Sequence, residues 1–281
     1  MRAHAMTPPR RSWLFVPGAD EAAHEAATTC GADVLIQELE DFTPPELRSA
    51  ARALARTLYD RWRAAGAIAA VRVNPLASGG YDDLAAVLAG RPDIVMMSKV
   101  AAPVDVCALD AATGGAVELV PNIESAAGLV RTLEIVRAST RVTAALVASE
   151  DMVADLGTAR SRTGEELAYV RARFLVECRA AGVEAIDCPY TFSDARVVAA
   201  DARYAKRLGY RAKSLVAPGH AAAINRVFTS QPVEIARARR IVAAFERARA
   251  AGRERAQVDG ALIEVPIYAA AKRLLATLPD H

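Results

Sequence analysis

Residues 142–157, Val-Thr-Ala-Ala-Leu-Val-Ala-Ser-Glu-Asp-Met-Val-Ala-Asp-Leu-Gly, contain the pattern that decides the fold. A short apolar run, Val142 to Val147, is followed by two carboxylates and then by a helical stretch. A continuous apolar run without polar alternation is typical of a strand buried on both faces of a parallel sheet. This segment therefore predicts one β-α unit of an α/β fold.

The same unit recurs along the chain. The other apolar runs are Trp13 to Val16, Val34 to Ile36, Ile68 to Val73, Ile94 to Met97, Ala116 to Val120, Val183 to Ile186 and Ser214 to Val216. Each is followed by a helical stretch; the clearest helices are Pro45 to Ala65, Ser125 to Arg137, Thr163 to Ala181 and Val233 to Ala251. Thr163 and Glu166 resemble a capping box at the start of the third of these helices.

Eight β-α units in about 220 residues favour a closed (β/α)8 TIM barrel over an open doubly wound sheet. The absence of a Gly-x-Gly-x-x-Gly sequence after the first strand also argues against a dinucleotide-binding sheet. We predict a barrel domain over residues 11–229 and a C-terminal helical extension, an arm or a lid, over residues 230–281. Within the extension we expect a long helix, a loop from Gly252 to Gly260 and a last helix.

Composition excludes several classes of protein. The chain has 281 residues, 53% of them apolar, and a formal net charge of +2, so a nucleic-acid partner is not expected. No apolar run is long enough to cross a membrane, and the polar start up to Arg11 does not resemble a secretory signal. The four cysteines show no Cys-x-x-Cys spacing, so we expect no structural zinc and a cytoplasmic location.

Ionisable side chains follow most of the predicted strands. The second strand runs into Glu38-Leu39-Glu40-Asp41, and the next five end near Arg72, Lys99, Glu124, Asp151 and Asp187. Catalytic groups of (β/α)8 barrels lie at the carboxyl ends of the strands. We therefore expect these charges to converge on one mouth.

The two carboxylates Glu124 and Asp151 end adjacent strands and predict a divalent cation site. Hard oxygen ligands without a neighbouring histidine favour Mg²⁺ over zinc or iron, with Mn²⁺ as the alternative. Arg72 offers a planar fork for a substrate carboxylate. Together these groups are suited to a 2-oxo acid, whose carbonyl oxygen the metal would polarise while a carbon–carbon bond breaks or forms.

Structural roles are open for each of these residues. Glu124 and Asp151 can be helix N-terminal carboxylates that interact with the helix dipole, and Arg72 can belong to a structural ion pair. Lys99 is either a Schiff-base lysine, as in class I aldolases, or a structural partner of the carboxylates. Glu38, Glu40 and Asp41 are expected to be partly solvated and partly ion-paired.

Several blocks resemble citrate lyase beta-subunit-like proteins of the HpcH/HpaI aldolase superfamily. Arg11 to Gly18 (Arg-Ser-Trp-Leu-Phe-Val-Pro-Gly) resembles their opening block, and Ser149 to Gly157 resembles their Gly-x-Glu-Asp-x-x-x-Asp-Leu-Gly block. Matching positions also include Gly31 to Asp33 with Glu38 to Asp41, Arg72 to Asn74, Lys99, Asn122 to Ser125, Asp187, Lys213, and Asp259 to Pro266. The resemblance spans about residues 11–275 in order.

This resemblance implies a (β/α)8 barrel, usually trimeric, whose C-terminal segment reaches an adjacent subunit's site. It implies Mg²⁺ held by Glu124 and Asp151 and a substrate carboxylate held by Arg72. The family's reactions are reversible cleavages of citryl-, malyl- or citramalyl-CoA into an acyl thioester and a 2-oxo acid. We also expect catalytic roles for Arg72, Glu38, Lys99 and Glu264, and substrate contacts for Asp41 and Asp187 besides Arg72.

The chain departs from the family pattern at positions that would face substrate. Ala19 to Thr29 contains no Lys or Arg, where relatives use such residues to bind CoA phosphates, and instead carries Asp20, Glu21 and Glu25. The usual His-Pro-x-Gln is Ala217 to His220, and Glu264 replaces an aspartate. We therefore predict a Mg²⁺-dependent lyase that acts on a 3-hydroxy acid or its CoA thioester. The alternatives are an aldolase on free hydroxy-oxo acids, a thioester hydrolase and a binding-only subunit of a lyase complex.

Overall fold

The computed structural model describes residues 9–115, 117–276 and 278. This part of the chain separates into two compact units, one from Pro9 to Phe228 and one that begins at Thr229. Three predicted segments extend beyond the described residues: the polar start (1–8), the first residue of the fifth apolar run (Ala116) and the end of the C-terminal extension (277 and 279–281).

Eight parallel strands close into a barrel in the first unit. They are β1 (Ser12–Pro17), β2 (Val34–Glu38), β3 (Ile68–Val73), β4 (Ile94–Met97), β5 (Glu118–Ile123), β6 (Ala144–Val147), β7 (Glu184–Asp187) and β8 (Ala212–Leu215). Each strand pairs with the next, and β1 closes the ring against β8. The predicted (β/α)8 barrel is confirmed. β5 extends further than its apolar run because Pro121 and Asn122 continue the strand without being apolar.

Neighbouring residues on each strand face opposite sides of the barrel wall. On β1, Trp13 and Phe15 belong to the cluster inside the barrel, whereas Leu14 and Val16 belong to the larger cluster between strands and helices. Burial on both faces explains why the strands read as continuous apolar runs. The alternation also decides which side chain at a strand end points into the mouth.

Helices connect the strands and surround the barrel. They are α1 (Glu21–Thr29), α2 (Arg48–Ala64), α3 (Gly80–Val87), α4 (Pro103–Thr113), α5 (Ala126–Val130), α6 (Thr132–Val136), α7 (Glu150–Asp155), α8 (Ala168–Ala181), α9 (Ala195–Leu208) and α10 (Ala221–Phe228). Within the described ranges, no helix has both the length and the apolar character needed to cross a bilayer.

The predicted helix from Ser125 to Arg137 is in fact two short helices, α5 and α6. The backbone leaves the helical region at Arg131 (φ −114°, ψ 9°). The hydroxyl of Thr132 donates to the carbonyls of Gly128 and Leu129 at 3.2 and 3.0 Å. A hydroxyl that binds the carbonyls of the preceding turn competes with the helical backbone pattern, which accounts for the break.

The predicted capping box at Thr163 and Glu166 is also wrong. The Glu166 carboxylate accepts hydrogen bonds from the backbone N–H and the hydroxyl of Ser161, at 3.1 and 2.5 Å. It therefore closes the loop before the helix, and α8 begins only at Ala168.

The second unit contains α11 (Pro232–Ala250), β9 (Ala256–Val258), β10 (Ala261–Ile263) and α12 (Val265–Ala276). Phe245 of α11 stacks on Tyr268 of α12, with ring centroids 4.6 Å apart. The segment predicted as a loop ends in an antiparallel hairpin instead. Its two-residue turn is Asp259-Gly260, in which both residues have positive φ (52° and 77°), as a type I′ turn requires.

Candidate active site

Arg72 lies on the inward face of β3, among three carboxylates at the barrel mouth. Its Nε donates to Glu38 Oε1 at 2.9 Å, Nη2 lies 3.3 Å from Glu40 Oε2, and Nη1 lies 3.6 Å from Glu124 Oε1. Burial alone would lower the pKa of Arg72, but the carboxylates of Glu38, Glu124 and Glu40 raise it above its ordinary value. The site therefore holds a permanent, buried guanidinium.

Two aromatic rings border this guanidinium. The central carbon of Arg72 lies 4.8 Å from the ring centroid of Phe15 and 5.9 Å from that of Phe42. The two rings meet edge to face, with centroids 6.4 Å apart. Such contacts favour a cation and orient it. The sequence pattern does not single out either ring, although Phe15 has the inward position that strand alternation gives it.

Glu38 holds the loop that follows β2. Its Oε1 accepts the backbone N–H of Glu40 at 2.7 Å, and its Oε2 accepts that of Phe42 at 2.5 Å. Together with the bond from Arg72, these contacts engage both carboxylate oxygens of a side chain with no solvent exposure. The contacts of Glu38 therefore position the loop and Arg72, whereas the sequence predicts a catalytic role for Glu38.

The same loop is tied to the end of β1 through Gly18 and Thr43. The Gly18 N–H donates to the Thr43 hydroxyl at 2.9 Å, and this hydroxyl donates to the Glu38 carbonyl. A Cβ atom at position 18 would lie 2.5 Å from the Glu38 carbonyl oxygen and 2.8 Å from Thr43 Oγ1. This close approach requires glycine.

Glu40 and Lys99 form an ion pair at the mouth. Lys99 Nζ donates to Glu40 Oε1 and lies 3.6 Å from Asp41 Oδ1. Its hydrogen bond to Glu40 raises the pKa of Lys99, against the opposing effect of burial. A Schiff-base lysine needs a lowered pKa, so the geometry favours the structural alternative. Burial raises the pKa of Glu40, which reaches Arg72 from the loop after β2.

Glu124 follows β5, and only 3% of its surface is exposed. Both of its carboxylate oxygens are buried without a hydrogen bond among the described residues. Burial raises the pKa of Glu124 to about 7; the nearby Asp151 and Glu40 carboxylates add to the rise, and Arg72 opposes it. An ionised carboxylate left in this state is costly unless a cation satisfies its oxygens.

Asp151 lies in the first turn of α7, close enough to Glu124 to raise its pKa. One turn later on the same helix, Asp155 Oδ2 accepts the backbone N–H of Ala126 at 2.7 Å. Ala126 begins α5, directly after the Glu124-Ser125 pair. This hydrogen bond connects the segments that carry the two predicted metal ligands.

A cavity of about 110 Å³ opens at the mouth beside these groups. It is smaller than the roughly 150 Å³ cavity that binds benzene in an engineered protein, so it suits a molecule of a few non-hydrogen atoms. Its polar walls include Arg72, Asp151 and Asp41, and Phe15 and Phe42 are among its apolar walls. The predicted substrate residue Asp41 thus borders the cavity.

The donor set fits a magnesium ion. No cluster of three or more His, Cys, Asp or Glu side chains suited to a metal occurs in the part of the chain that the structure describes. Glu124 has two unsatisfied buried oxygens, and Asp151 is its neighbour. Two carboxylates that leave positions for water and substrate oxygens suit Mg²⁺, which retains much of its hydration. Mn²⁺ accepts the same ligands.

Asp187 lies away from the mouth. It follows Ile186 of the inner cluster, so alternation turns its side chain toward the surrounding helices. Arg171 donates to both of its oxygens at 2.8 and 2.7 Å, and Lys213 donates to Oδ2 at 2.7 Å. The side chain has no solvent exposure. The expectation that Asp187 converges on the mouth is therefore corrected: its contacts hold the barrel wall to α8.

Glu264 lies in the C-terminal unit, between β10 and α12. Its side chain is half-exposed, and its Oε1 is 3.3 Å from Nε of Arg255. These contacts lie within the C-terminal unit and do not test the catalytic role predicted for Glu264, which stays a prediction.

Residues 11–218 match the HpcH/HpaI aldolase/citrate lyase family. The chain is 34% identical to the citrate lyase subunit beta of Escherichia coli (strain K12), covering 95% of this chain and 92% of that protein. It is 31% identical to a (3S)-malyl-CoA thioesterase of Cereibacter sphaeroides (strain ATCC 17025), covering 95% and 94%.

Solved structures show the same fold. One is the citrate lyase beta subunit from M. tuberculosis complexed with oxaloacetate and magnesium, with a TM-score of 0.68 and 25% sequence identity. The match covers 80% of this chain and 99% of that one.

Proposed function

Because the chain belongs to the HpcH/HpaI aldolase/citrate lyase family, we propose that it is a Mg²⁺-dependent carbon–carbon lyase. Its substrate would be a 3-hydroxy acid or the CoA thioester of one, and its products a 2-oxo acid and an acetyl or acyl compound. The observation that carries the proposal is the buried Glu124 carboxylate, whose two oxygens lack hydrogen bonds and which lies beside Arg72 and Asp151.

Arg72 is the proposed site for the carboxylate of the 2-oxo acid. Its Nε is occupied by Glu38, but the contacts of Nη1 and Nη2 within the described part of the chain are ion pairs at 3.6 and 3.3 Å. Two parallel N–H donors are thus available for a bidentate carboxylate. Phe15 and Phe42 fix the plane of the guanidinium, which limits the orientations in which the acid can bind.

Glu124 and Asp151 would hold the metal, and Mg²⁺ bound there would act as a Lewis acid toward the carbonyl oxygen of the 2-oxo acid. We assign Glu38 and Lys99 to positioning, because Glu38 holds the loop and Arg72, and Lys99 holds Glu40. By the family resemblance, Glu264 is the proposed group for proton transfer. The resemblance likewise supports the proposal of a trimer, and the spacing of the four cysteines supports the proposal of a cytoplasmic location.

The test is a coupled assay with citryl-, malyl- and citramalyl-CoA and the matching free acids, each with and without Mg²⁺. Release of oxaloacetate, glyoxylate or pyruvate identifies the substrate. We expect Glu124→Ala and Asp151→Ala to abolish turnover. Glu134→Ala, which removes an exposed carboxylate whose ion-pair partner among the described residues is Arg131, should leave it unchanged. Mg²⁺-dependent turnover near the wild-type rate in either metal-site variant would contradict the proposal.

Thioester hydrolysis is the second candidate, favoured by the 31% identity to (3S)-malyl-CoA thioesterases. The same assay separates the two reactions. A lyase converts malyl-CoA into acetyl-CoA and glyoxylate, whereas a hydrolase releases free CoA and intact malate.

A further inference from the structure

Asn122 is a polar side chain inside the barrel to which the proposed reaction gives no role. It lies on β5, in register with Leu146 of β6, and has no solvent exposure. Val120 of the same strand belongs to the cluster inside the barrel, and Ile123 belongs to the cluster between strands and helices. Alternation therefore turns Asn122 inward, on the face that also carries Glu124.

The amide group of Asn122 is unsatisfied. Both its nitrogen and its oxygen are buried, and neither has a hydrogen-bond partner among the described residues. A buried amide without a partner lowers the stability of a protein, and an apolar side chain of the same shape avoids that cost. The presence of an amide at this position therefore needs a reason other than stability.

The side chains on the two neighbouring strands do not use this amide. On β6, Leu146 is apolar and lines the cavity at the mouth. On the other side, Ser98 directly follows β4, and its hydroxyl is directed to the Val73 carbonyl, to which it donates at 3.3 Å. The Glu124 carboxylate, two residues further along the inward face, is the acceptor that the amide can serve.

Glu124 lacks the donor that Asn122 offers. Both of its oxygens are buried without a hydrogen bond among the described residues, and its contact with Arg72 is an ion pair at 3.6 Å. Burial raises the pKa of Glu124, and the nearby Asn122 amide acts in the opposite direction, as a donor beside a carboxylate does. The terminal torsions of Asn and Glu side chains are soft, so the amide can turn its N–H toward the carboxylate at little cost.

We propose that Asn122 is a positioning residue for the metal ligand Glu124, an inference that rests on the proposed function. Its Nδ2 donates to one carboxylate oxygen of Glu124 and leaves the other oxygen for Mg²⁺. Because an amide is neutral, it orients the carboxylate without cancelling the charge that attracts the cation. Hydrogen-bond partners of this kind fix the orientation of metal ligands, and their loss weakens metal binding.

Asn122→Leu tests this role, because leucine has a similar shape and no hydrogen-bonding group. We expect it to weaken Mg²⁺ binding about tenfold to a hundredfold in calorimetric titration of the full chain. In EDTA, the variant should unfold at an equal or higher urea concentration than the wild type, because the unsatisfied amide is gone. Asn122→Val, whose side chain suits a strand, should show the same loss of affinity if leucine proves too large. The matched control is Met96→Leu, an apolar change of similar volume inside the barrel, which should leave the affinity unchanged.

The outcomes separate this inference from the proposed function. Unchanged Mg²⁺ affinity in Asn122→Leu and Asn122→Val would overturn the positioning role. A loss of affinity together with unfolding at a lower urea concentration in EDTA would also overturn it, because the amide would then support the fold rather than the metal ligand. If Glu124→Ala abolishes Mg²⁺ binding and turnover while Asn122→Leu changes neither, the lyase stands and the positioning role fails. A wild type that binds no Mg²⁺ would overturn both.

Discussion

Replacing Glu124 by glutamine should stabilise the metal-free protein at alkaline pH. The pKa of this carboxylate rises from 4.5 to about 7 because of burial, so its ionised form is disfavoured in the folded state. Each tenfold change in proton affinity corresponds to about 1.4 kcal/mol. At pH 8 the charge therefore lowers the free energy of unfolding by about 3 kcal/mol, a cost that a neutral amide of the same shape avoids.

The sign of the pH dependence follows from linkage. Because the folded state binds the Glu124 proton more tightly than the unfolded state, this contribution to stability is fully present below about pH 4.5. It is lost as pH rises through about 7. Burial is the largest cause of the shift, so the difference between variant and wild type reports mainly Glu124, with smaller contributions from its neighbours Asp151, Glu40 and Arg72. We expect no difference near pH 4.5 and about 3 kcal/mol in favour of Glu124→Gln at pH 8.

Urea unfolding in EDTA, followed by tryptophan fluorescence, measures this difference. Trp13 and Trp62 are both buried in the barrel unit, so their emission reports that unit. In thermal unfolding, 3 kcal/mol corresponds to about 6–12 °C for a domain of this size. Glu134→Gln, at an exposed carboxylate, is the control and should change stability by less than about 0.5 kcal/mol at either pH.

Mg²⁺ gives the complementary measurement. Saturating Mg²⁺ should stabilise the wild type and leave Glu124→Gln unchanged, because a ligand stabilises only the protein that binds it. If the two proteins show the same pH dependence in EDTA and the same gain with Mg²⁺, Glu124 is neither a strained carboxylate nor a metal ligand, and the reasoning fails.

Three further substitutions test the neighbouring contacts. Arg72→Lys should lower kcat/KM for the 2-oxo acid about tenfold to a hundredfold in steady-state kinetics, since an ammonium loses the bidentate fork; an unchanged value would exclude Arg72 as its binding group. Asp155→Ala should weaken Mg²⁺ binding about tenfold in calorimetry by freeing the Ala126 N–H, and Asp155→Asn, which keeps an acceptor, should do so less. Asp187→Asn should lower the free energy of unfolding, measured in urea, by about 3–5 kcal/mol, because it leaves the Arg171 guanidinium buried with a weaker partner. The Mg²⁺ affinity of this variant should equal that of the wild type.

The barrel is readable from sequence because its strands are buried on both faces. That condition produces continuous apolar runs, and eight of them, each followed by a helical stretch, leave few alternatives to a closed ring. The ends of the elements are harder to predict. The break at Arg131 depends on a hydroxyl of Thr132 that turns back to the preceding carbonyls, which no pattern of hydrophobicity records.

The candidate site is only partly predictable from sequence. A charged residue at a strand end can point either into the barrel mouth or toward the surrounding helices. Arg72 and Asp187 both end strands, yet alternation sends the first into the mouth and the second toward α8. The hairpin around Asp259-Gly260 is also within reach of sequence, since an Asp-Gly pair between two short segments that carry apolar residues is a turn signal.

The contact between Gly18 and the Glu38 carbonyl has a consequence for any large-scale mutational scan. Even alanine at position 18 would press its methyl group against that carbonyl, and the displacement would pass along the backbone to the carboxylate that steadies Arg72. Such a scan would find that position 18 tolerates substitution as poorly as a catalytic residue does. Glycine, however, has no side chain that could contact a substrate. The loss of activity in these variants would result from the short distance between two backbone segments. Circular dichroism of the inactive variants would still show the spectrum of a folded barrel.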